Sequence, residues 1–432
     1  MMHACANTCR IKLKQHDVSR TIKLWSKVIV CVTTLAFIAL YIVPAGSQQN
    51  FSLKKLPISR KESMNSLGLG NNPESRPLSS VLVRTSGTRS GQQAVKRTPY
   101  TRRNNMGPCL AKFGNVTIFI GFLKNGWEGK KYRVAQSSIQ CYLKGVNYQL
   151  ITVNLRKDVR TREICRKYKK YLFKRHCIAA EYLKDTDWML VLDADTGVVN
   201  PNHCIEEWID DRVDVILYER FFNSEISAGS FMVRNSEFGR DFLIKWADRE
   251  FTLHEGWNGL DNGVLHLHVL DTLIPDAIQE RKNCHDIWFN ATSYETYLAV
   301  VSCVRQALGA SRLWPGKLRF YSKAHGWVRD GFLTSNKWHD GDFMIHLWKG
   351  NNLTKDGRGP PFTEMPDLKS CGNGRNGWHW NETKHVDVEE IKADLARYEK
   401  TKGQMYPSFG KQVFFLTMPV IGQCYPDCER LT

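Results

Sequence analysis

The chain has 432 residues, 42% hydrophobic and 11% aromatic, with thirteen cysteines, thirteen tryptophans and a formal net charge of +18. That apolar content excludes a disordered protein, and the length accommodates one large domain with appendages. The positive charge raises nucleic acid as a partner, but much of the excess lies in two N-terminal stretches, Arg10 to Lys27 and Lys54 to Arg103, so no nucleic-acid partner is expected.

Residues 1–27 read as a basic cytoplasmic arm. Residues 28–43 form an apolar run without charge, expected to cross the membrane once as a signal-anchor helix. Lys23 and Lys27 flank it on the N-terminal side, which places the remainder in the lumen. A cleaved signal peptide ending near Ala45-Gly46-Ser47 is the alternative, but so long a basic lead-in suits an anchor. Residues 44–108, rich in Ser, Arg, Gly, Asn and Gln, read as a flexible stem, and residues 109–432 as a lumenal catalytic domain. Ten of the thirteen cysteines fall in that domain, an even number that fits disulfides in an oxidising compartment. Cys424 and Cys428 have ligand spacing for zinc but lack a second pair nearby. Five Asn-x-Ser/Thr sequons, at Asn50, Asn115, Asn290, Asn352 and Asn381, agree with a secreted or lumenal glycoprotein.

The domain opens with an apolar run of strand length, Asn115 to Gly121. Helical spacing follows over Lys131 to Lys144, with Gly145 as C-cap, then a second strand at Tyr148 to Leu155. Arg162 to Leu183 reads as one longer helix and Asp187 to Leu192 as a third strand. This alternation predicts an α/β domain with a mixed, mostly parallel central sheet, whose ligands gather at the carboxyl ends of the strands.

At the end of the third strand stand Asp193-Ala194-Asp195. A chain leaving a buried strand can aim two carboxylates at one point, and paired oxygen ligands suit Mn²⁺ or Mg²⁺. Such an ion offsets charge on a leaving diphosphate. Further on, Met344-Ile345-His346 offers a third ligand on a short apolar strand, with Lys349 available as a cationic contact to phosphate. His266 and His268 sit two apart, as ligands on one strand face can, but their apolar surroundings favour packing. Trp314, Trp327, Trp338, Trp348, Trp378 and Trp380 read mainly as core residues, with sugar-stacking platforms as the alternative.

Asp193-Ala194-Asp195, the stretch Ser227 to Ser236 and Trp246 together resemble the fungal Golgi galactosyl- and mannosyltransferases and the plant xyloglucan xylosyltransferases. They look closer still to a nematode-expanded family of uncharacterised Golgi-type proteins. The resemblance runs from about Asn115 to Gly350, with specific motifs in its central third. It implies a GT-A-like nucleotide-sugar-binding fold, Mn²⁺, retention of anomeric configuration, and a nucleoside diphosphate sugar as donor, UDP-sugar favoured over GDP-sugar. It also implies a glycan or glycoprotein acceptor and a type II protein of the Golgi membrane, and leaves a homo-oligomer or enzyme complex open. By that likeness Asp193, Asp195 and His346 bind metal, Ala228 and Gly229 form a small-residue turn at the donor sugar, and Asp261 is the catalytic-site carboxylate. Asn262 departs from the Asp-Gln common in the relatives, and a plain turn is the alternative for Asp261-Asn262-Gly263.

Overall fold

The chain divides into two units, Met1–Ala94 and Val95–Thr432. The computed structural model describes residues 109–123, 130–349, 353, 359–405 and 420–429, all in the second unit. The arm, the 28–43 run and the stem lie outside the described residues; among those described, no helix is long and apolar enough to cross a membrane.

The domain is built on a seven-stranded sheet in the order β2-β1-β3-β6-β5-β8-β7. These strands are β1 (Val116–Phe122), β2 (Gln149–Asn154), β3 (Trp188–Leu192), β5 (Val215–Tyr218), β6 (Ser230–Arg234), β7 (Leu313–Trp314) and β8 (Leu318–Tyr321). β4 (Gly197–Val198), β9 (Val328–Asp330) and β10 (Met344–His346) make a second, three-stranded sheet. In the large sheet only β6 and β7 oppose the other strands, so the sheet is mixed with most strands running one way.

Both faces of the sheet are buried, as the unbroken apolar strands require. Val116, Ile118 and Ile120 of β1, Leu190 and Leu192 of β3 and Met232 of β6 face one cluster, which includes Val134, Ala135 and Ile139 of α1 (Arg133–Leu143) and several tryptophans. The alternate residues Phe119, Met189, Val191, Phe231 and Val233 face the other cluster. That second layer is made by α3 (Tyr171–Tyr182), α4 (Glu237–Asp248), α5 (Leu260–Leu273), α6 (Ile278–Phe289) and α7 (Tyr294–Leu308). A last helix, α8 (Val388–Met405), packs Ile391 and Leu395 against Phe221 and Leu333.

Two local expectations need correction. The single helix predicted over Arg162 to Leu183 is two: α2 (Val159–Ile164), capped by Asp158 accepting from the Thr161 amide at 2.7 Å, and α3. Between them Glu250 accepts hydrogen bonds from the Lys169 and Lys170 amides, at 2.8 and 3.0 Å, and the Cys165–Cys177 disulfide ties the break to α3. Helix α1 ends with the Lys144 and Gly145 amides bonded three residues back, and Gly145 does not take the left-handed geometry of a C-cap glycine.

All ten domain cysteines pair, as Cys109–Cys204, Cys141–Cys371, Cys165–Cys177, Cys284–Cys303 and Cys424–Cys428. The zinc alternative for Cys424 and Cys428 gives way to that bond.

Buried Asp210 ties the chain after β4 to the sheet. It accepts from Arg212 Nε at 2.8 Å and from Arg319 Nη1 at 2.7 Å. Burial pushes its carboxyl up, but the two guanidinium groups outweigh burial and hold it at about 2. A carboxylate below its unfolded value of roughly 4 contributes stability that is complete above that pH and lost as pH falls toward 2. We expect Asp210→Asn to lower stability by about 2 kcal/mol at neutral pH, with the deficit shrinking between about pH 4 and 2. Urea melts across that pH range check it, and a deficit independent of pH would show that the charge is not its source.

Candidate metal and nucleotide-sugar site

The carboxyl ends of β3 and β5 and the start of β6 share one edge of the sheet, since Leu192 pairs with Ser230 in antiparallel register. Asp193 leaves β3 with its amide bonded to the Gly229 carbonyl at 2.7 Å, and the Thr196 amide returns to the Asp193 carbonyl at 3.0 Å. This tight turn brings both carboxylates to one side. Gln136 of α1 steadies its middle by donating to the Ala194 carbonyl at 2.6 Å.

The small sheet delivers the histidine. β4 follows the turn directly, and β10 pairs with it so that Ile345 lies opposite Gly197. Beyond β10 the Trp348 amide bonds the Asp195 carbonyl at 2.9 Å, with Leu347 between them at a positive φ of 78°. Gly197 is required here, because a Cβ would fall 2.3 Å from the Trp348 ring. His346 Nε2 comes within 3.3 Å of Asp195 Oδ1 and 3.6 Å of Asp193 Oδ2. On its other side β9 runs parallel with Asp330 opposite His346, and Asp330 Oδ1 lies 2.9 Å from Nδ1. Arg220 donates to the same Asp330 oxygen at 3.1 Å. A carboxylate behind the imidazole fixes its ring orientation, the usual arrangement behind a metal-binding histidine.

Burial pushes the His346 imidazole down, but its bonds to Asp193, Asp195 and Asp330 outweigh burial and hold it well above the ordinary histidine range. Burial likewise works against the carboxylates. Arg175 and His346 nevertheless keep Asp193 well below its ordinary value, His346 keeps Asp195 low, and His346 with Arg220 holds Asp330 at about 2. The pocket is thus built for positive charge. Ligand atoms of Asp193, Asp195 and His346 lie within 4.8 Å of one another, and among the described residues Asp195 Oδ2 is buried without a hydrogen-bond partner. Two carboxylate oxygens and an imidazole nitrogen form a donor set that suits Mn²⁺ or Mg²⁺. Lys349 reaches the rim, its half-exposed ammonium 3.4 Å from Asp195 Oδ2.

Asp261 stands on the other side of Asp193, and Arg175 joins them. The guanidinium, only 5% exposed, pairs with Asp193 Oδ1 through Nη1 and donates from Nη2 to the Ala228 carbonyl at 2.8 Å and to Asp261 Oδ2 at 3.2 Å. His176 Nε2 approaches the same Asp261 oxygen at 3.3 Å, and its ring stacks on Trp246 at 3.6 Å. Trp246 Nε1 in turn donates to the Asp261 carbonyl at 3.1 Å. Burial drives the His176 imidazole down to about 4, so it is neutral at physiological pH.

Sequence reasoning missed Arg175, His176, Asp330 and Arg220, because nothing in their local pattern marks them and the fold alone brings them in. Asp261-Asn262-Gly263 is not the alternative plain turn; it lies in the first turn of α5. Asn262 Oδ1 accepts from the Ala228 amide at 2.8 Å, so Ala228 is held through both its amide and its carbonyl. The Cβ position of Gly229 is occupied by the Asp193 carboxylate, 2.5 Å away, rather than left open for a ligand. Gly229→Ala is therefore expected to swing Asp193 aside and weaken Mn²⁺ binding by about 10- to 100-fold with the fold retained. Mn²⁺ titration followed by electron paramagnetic resonance checks this, and unchanged affinity would contradict it. His266 and His268 lie in α5 rather than a strand, buried and satisfied: His266 Nε2 accepts from the Ile226 amide at 3.0 Å and His268 Nε2 bonds the Phe242 carbonyl at 3.0 Å.

Residues 139–360 match the model of a family described as protein of unknown function, DUF273. The chain belongs to that family. In this DUF273 protein the match takes in the Asp-x-Asp turn, Ala228-Gly229, Asp261, His346 and Lys349, so the whole assembled site lies inside the family's shared region. No curated protein matches by sequence. Among solved structures, the DUF273 chain is similar to a glycosyltransferase involved in glycosylation of the major capsid of PBCV-1, at 14% identity and TM-score 0.31, covering 56% of this chain and 97% of that one. It is also similar to the glycosyltransferase GlyE of Streptococcus pneumoniae TIGR4, at 15% identity and TM-score 0.26, covering 41% of this chain and 51% of that one. A third is galactosyltransferase LgtC in complex with donor and acceptor sugar analogues, at 11% identity and TM-score 0.27, covering 64% and 95%.

Proposed function

We propose that this protein is a metal-dependent glycosyltransferase with a GT-A-like fold that moves a hexose or pentose from a nucleoside diphosphate sugar, a UDP-sugar in preference to a GDP-sugar, to a glycan or glycoprotein acceptor. The observation that carries the reading is the convergence of Asp193, Asp195 and His346 at the carboxyl edge of the sheet, with Lys349 at the rim. Bound there, Mn²⁺ or Mg²⁺ would act as a Lewis acid on the diphosphate. Lys349 adds a point charge for the phosphates, and Asp330, backed by Arg220, keeps Nε2 of His346 turned toward the two aspartates. Asp261 has one oxygen committed to Arg175 and His176, while among the described residues the other accepts only from the Asn262 amide at 3.1 Å and keeps capacity for a sugar hydroxyl. Arg175 fixes the separation of Asp261 from Asp193, so that groups meeting the two ends of the donor cannot drift apart.

Retention of configuration follows from the motif resemblance to the fungal and plant Golgi enzymes and is part of the proposal. So is a type II Golgi-membrane setting, which five disulfides and the apolar 28–43 run favour. Titration calorimetry of UDP and GDP into the protein tests the site. UDP binding that requires Mn²⁺ supports the reading, and UDP affinity indifferent to metal overturns it.

A further inference from the structure

Six tryptophans stand out in the sequence as possible sugar platforms, yet Trp327, Trp338, Trp348, Trp378 and Trp380 are buried and Trp314 is half-buried. Among the described tryptophans the exposed one is Trp257, at 47%, and Leu260 beside it is 42% exposed. Both precede Asp261 on the turn that opens α5, and that turn is held in an unfavourable shape. Gly259 and Leu260 take successive positive φ values of 68° and 52°, the second on a branched residue for which left-handed backbone is costly.

The surroundings enforce this. Asn258 Oδ1 accepts from the Leu260 amide at 2.9 Å, Asn258 Nδ2 donates to the His254 carbonyl at 2.7 Å, and Trp288 Nε1 donates to the Asn258 carbonyl at 3.0 Å. Tyr297, bonded to Glu225 at 2.5 Å, closes the space under Gly259, where a Cβ would meet its ring at 2.5 Å. Backbone held away from its preferred geometry by so many contacts, with two apolar side chains turned to water at its crest, marks a surface built for a ligand.

Its position names the ligand. On one side the chain runs through Leu260 into Asp261. On the other, the Trp257 indole meets Tyr294 edge to face with centroids 5.9 Å apart, and Tyr294 OH lies 3.2 Å from Asn223 Nδ2. Asn223 bonds Glu225, and Arg220 stands 3.8 Å from Glu225 while holding Asp330 behind His346. The crest is thus joined directly to Asp261 through the chain and is tied to the His346 half of the site through a relay of side-chain contacts. A pyranose ring offers an apolar C–H face with hydroxyls around its edge, which fits an exposed indole on a turn that also exposes an aliphatic side chain three residues on. The exposed charge on this stretch is acidic Glu255, which disfavours an anionic sugar.

We propose that Trp257 and Leu260 form the acceptor platform, on which a neutral pyranose ring stacks beside Asp261; this rests on the glycosyl-transfer reading above. The test is fluorine magnetic resonance on the full chain in detergent labelled with 5-fluorotryptophan, the Trp257 signal being the one missing from Trp257→Leu. Lactose, cellobiose and maltose are titrated in turn, and Mn²⁺ with UDP separately, with Trp348, whose amide bonds Asp195, as reporter of the metal site. A saturable shift of the Trp257 signal with at least one disaccharide is expected. If Mn²⁺ and UDP perturb Trp348 while no disaccharide moves Trp257, the platform is wrong and the transferase reading stands. If Mn²⁺ and UDP leave every tryptophan unchanged, the transferase reading fails and takes the platform with it.

Discussion

Asp195→Asn should weaken Mn²⁺ binding by about 100-fold or more while leaving the protein folded, as judged by an unaltered near-ultraviolet circular dichroism spectrum. Loss of a supporting partner behind a ligand already costs about 10- to 100-fold, so loss of a ligand charge should cost at least as much. The fold should survive because the Asp195 side chain is no structural keystone: one oxygen faces His346 at 3.3 Å, and the other meets the half-exposed Lys349 ammonium at 3.4 Å. What anchors the turn is backbone, the Asp195 carbonyl to Trp348 and the Asp193 amide to Gly229, and the substitution touches neither. Removing a negative charge beside an imidazolium and Lys349 forfeits some attraction, so the metal-free variant should be modestly less stable but still folded. Unchanged Mn²⁺ affinity, measured by electron paramagnetic resonance, would mean that the three side chains converge for structural reasons alone.

Arg175→Met should act differently, lowering stability by about 3–5 kcal/mol and Tm by roughly 5 to 10 °C, and disabling the site as well. Methionine replaces the volume of the side chain but leaves Asp193, Asp261 and the Ala228 carbonyl without their shared donor. Breaking a buried ion pair from one side costs far more than the pair contributes, because the stranded charge stays buried, here that of Asp261, whereas Asp193 is partly exposed and keeps His346. His176 offers Asp261 only a neutral hydrogen bond, since burial keeps its imidazole low. A double substitution, Arg175→Met with Asp261→Asn, should recover part of the lost stability by removing one stranded charge. Thermal melts of the two variants decide this. A Tm within about 2 °C of the parent for Arg175→Met would contradict the role assigned to the guanidinium.

The contrast between these two residues shows what a sequence can disclose. Asp193 and Asp195 were visible because strand periodicity is local: Trp188 to Leu192 is apolar at every position and ends where the acidic pair begins. His346 was visible through the same logic, as a polar residue closing a short apolar strand. Arg175 lies in a helix whose pattern gives no hint of burial, being flanked by Lys174 and His176, and the carboxylates it serves are 18 and 86 residues away. Asp330 is equally silent, because its role depends on the parallel register that sets it opposite His346. The break between α2 and α3 was missed for a related reason: the helical pattern continues across it, while Glu250 and the Cys165–Cys177 bond stop the helix from outside. Trp257 was passed over among thirteen tryptophans, since exposure is a property of the fold and not of the residue.

The site is proposed to hold a metal against a nucleoside diphosphate sugar and to cleave the bond to the sugar. Nucleotide release from a panel of UDP- and GDP-sugars, with and without Mn²⁺ and beside Asp195→Ala, measures this directly. Release from at least one UDP-sugar that needs Mn²⁺ and vanishes in the variant is the predicted result. A folded protein that releases nucleotide from no donor, with metal present, would contradict this and leave a module that binds glycans or a partner without turning them over.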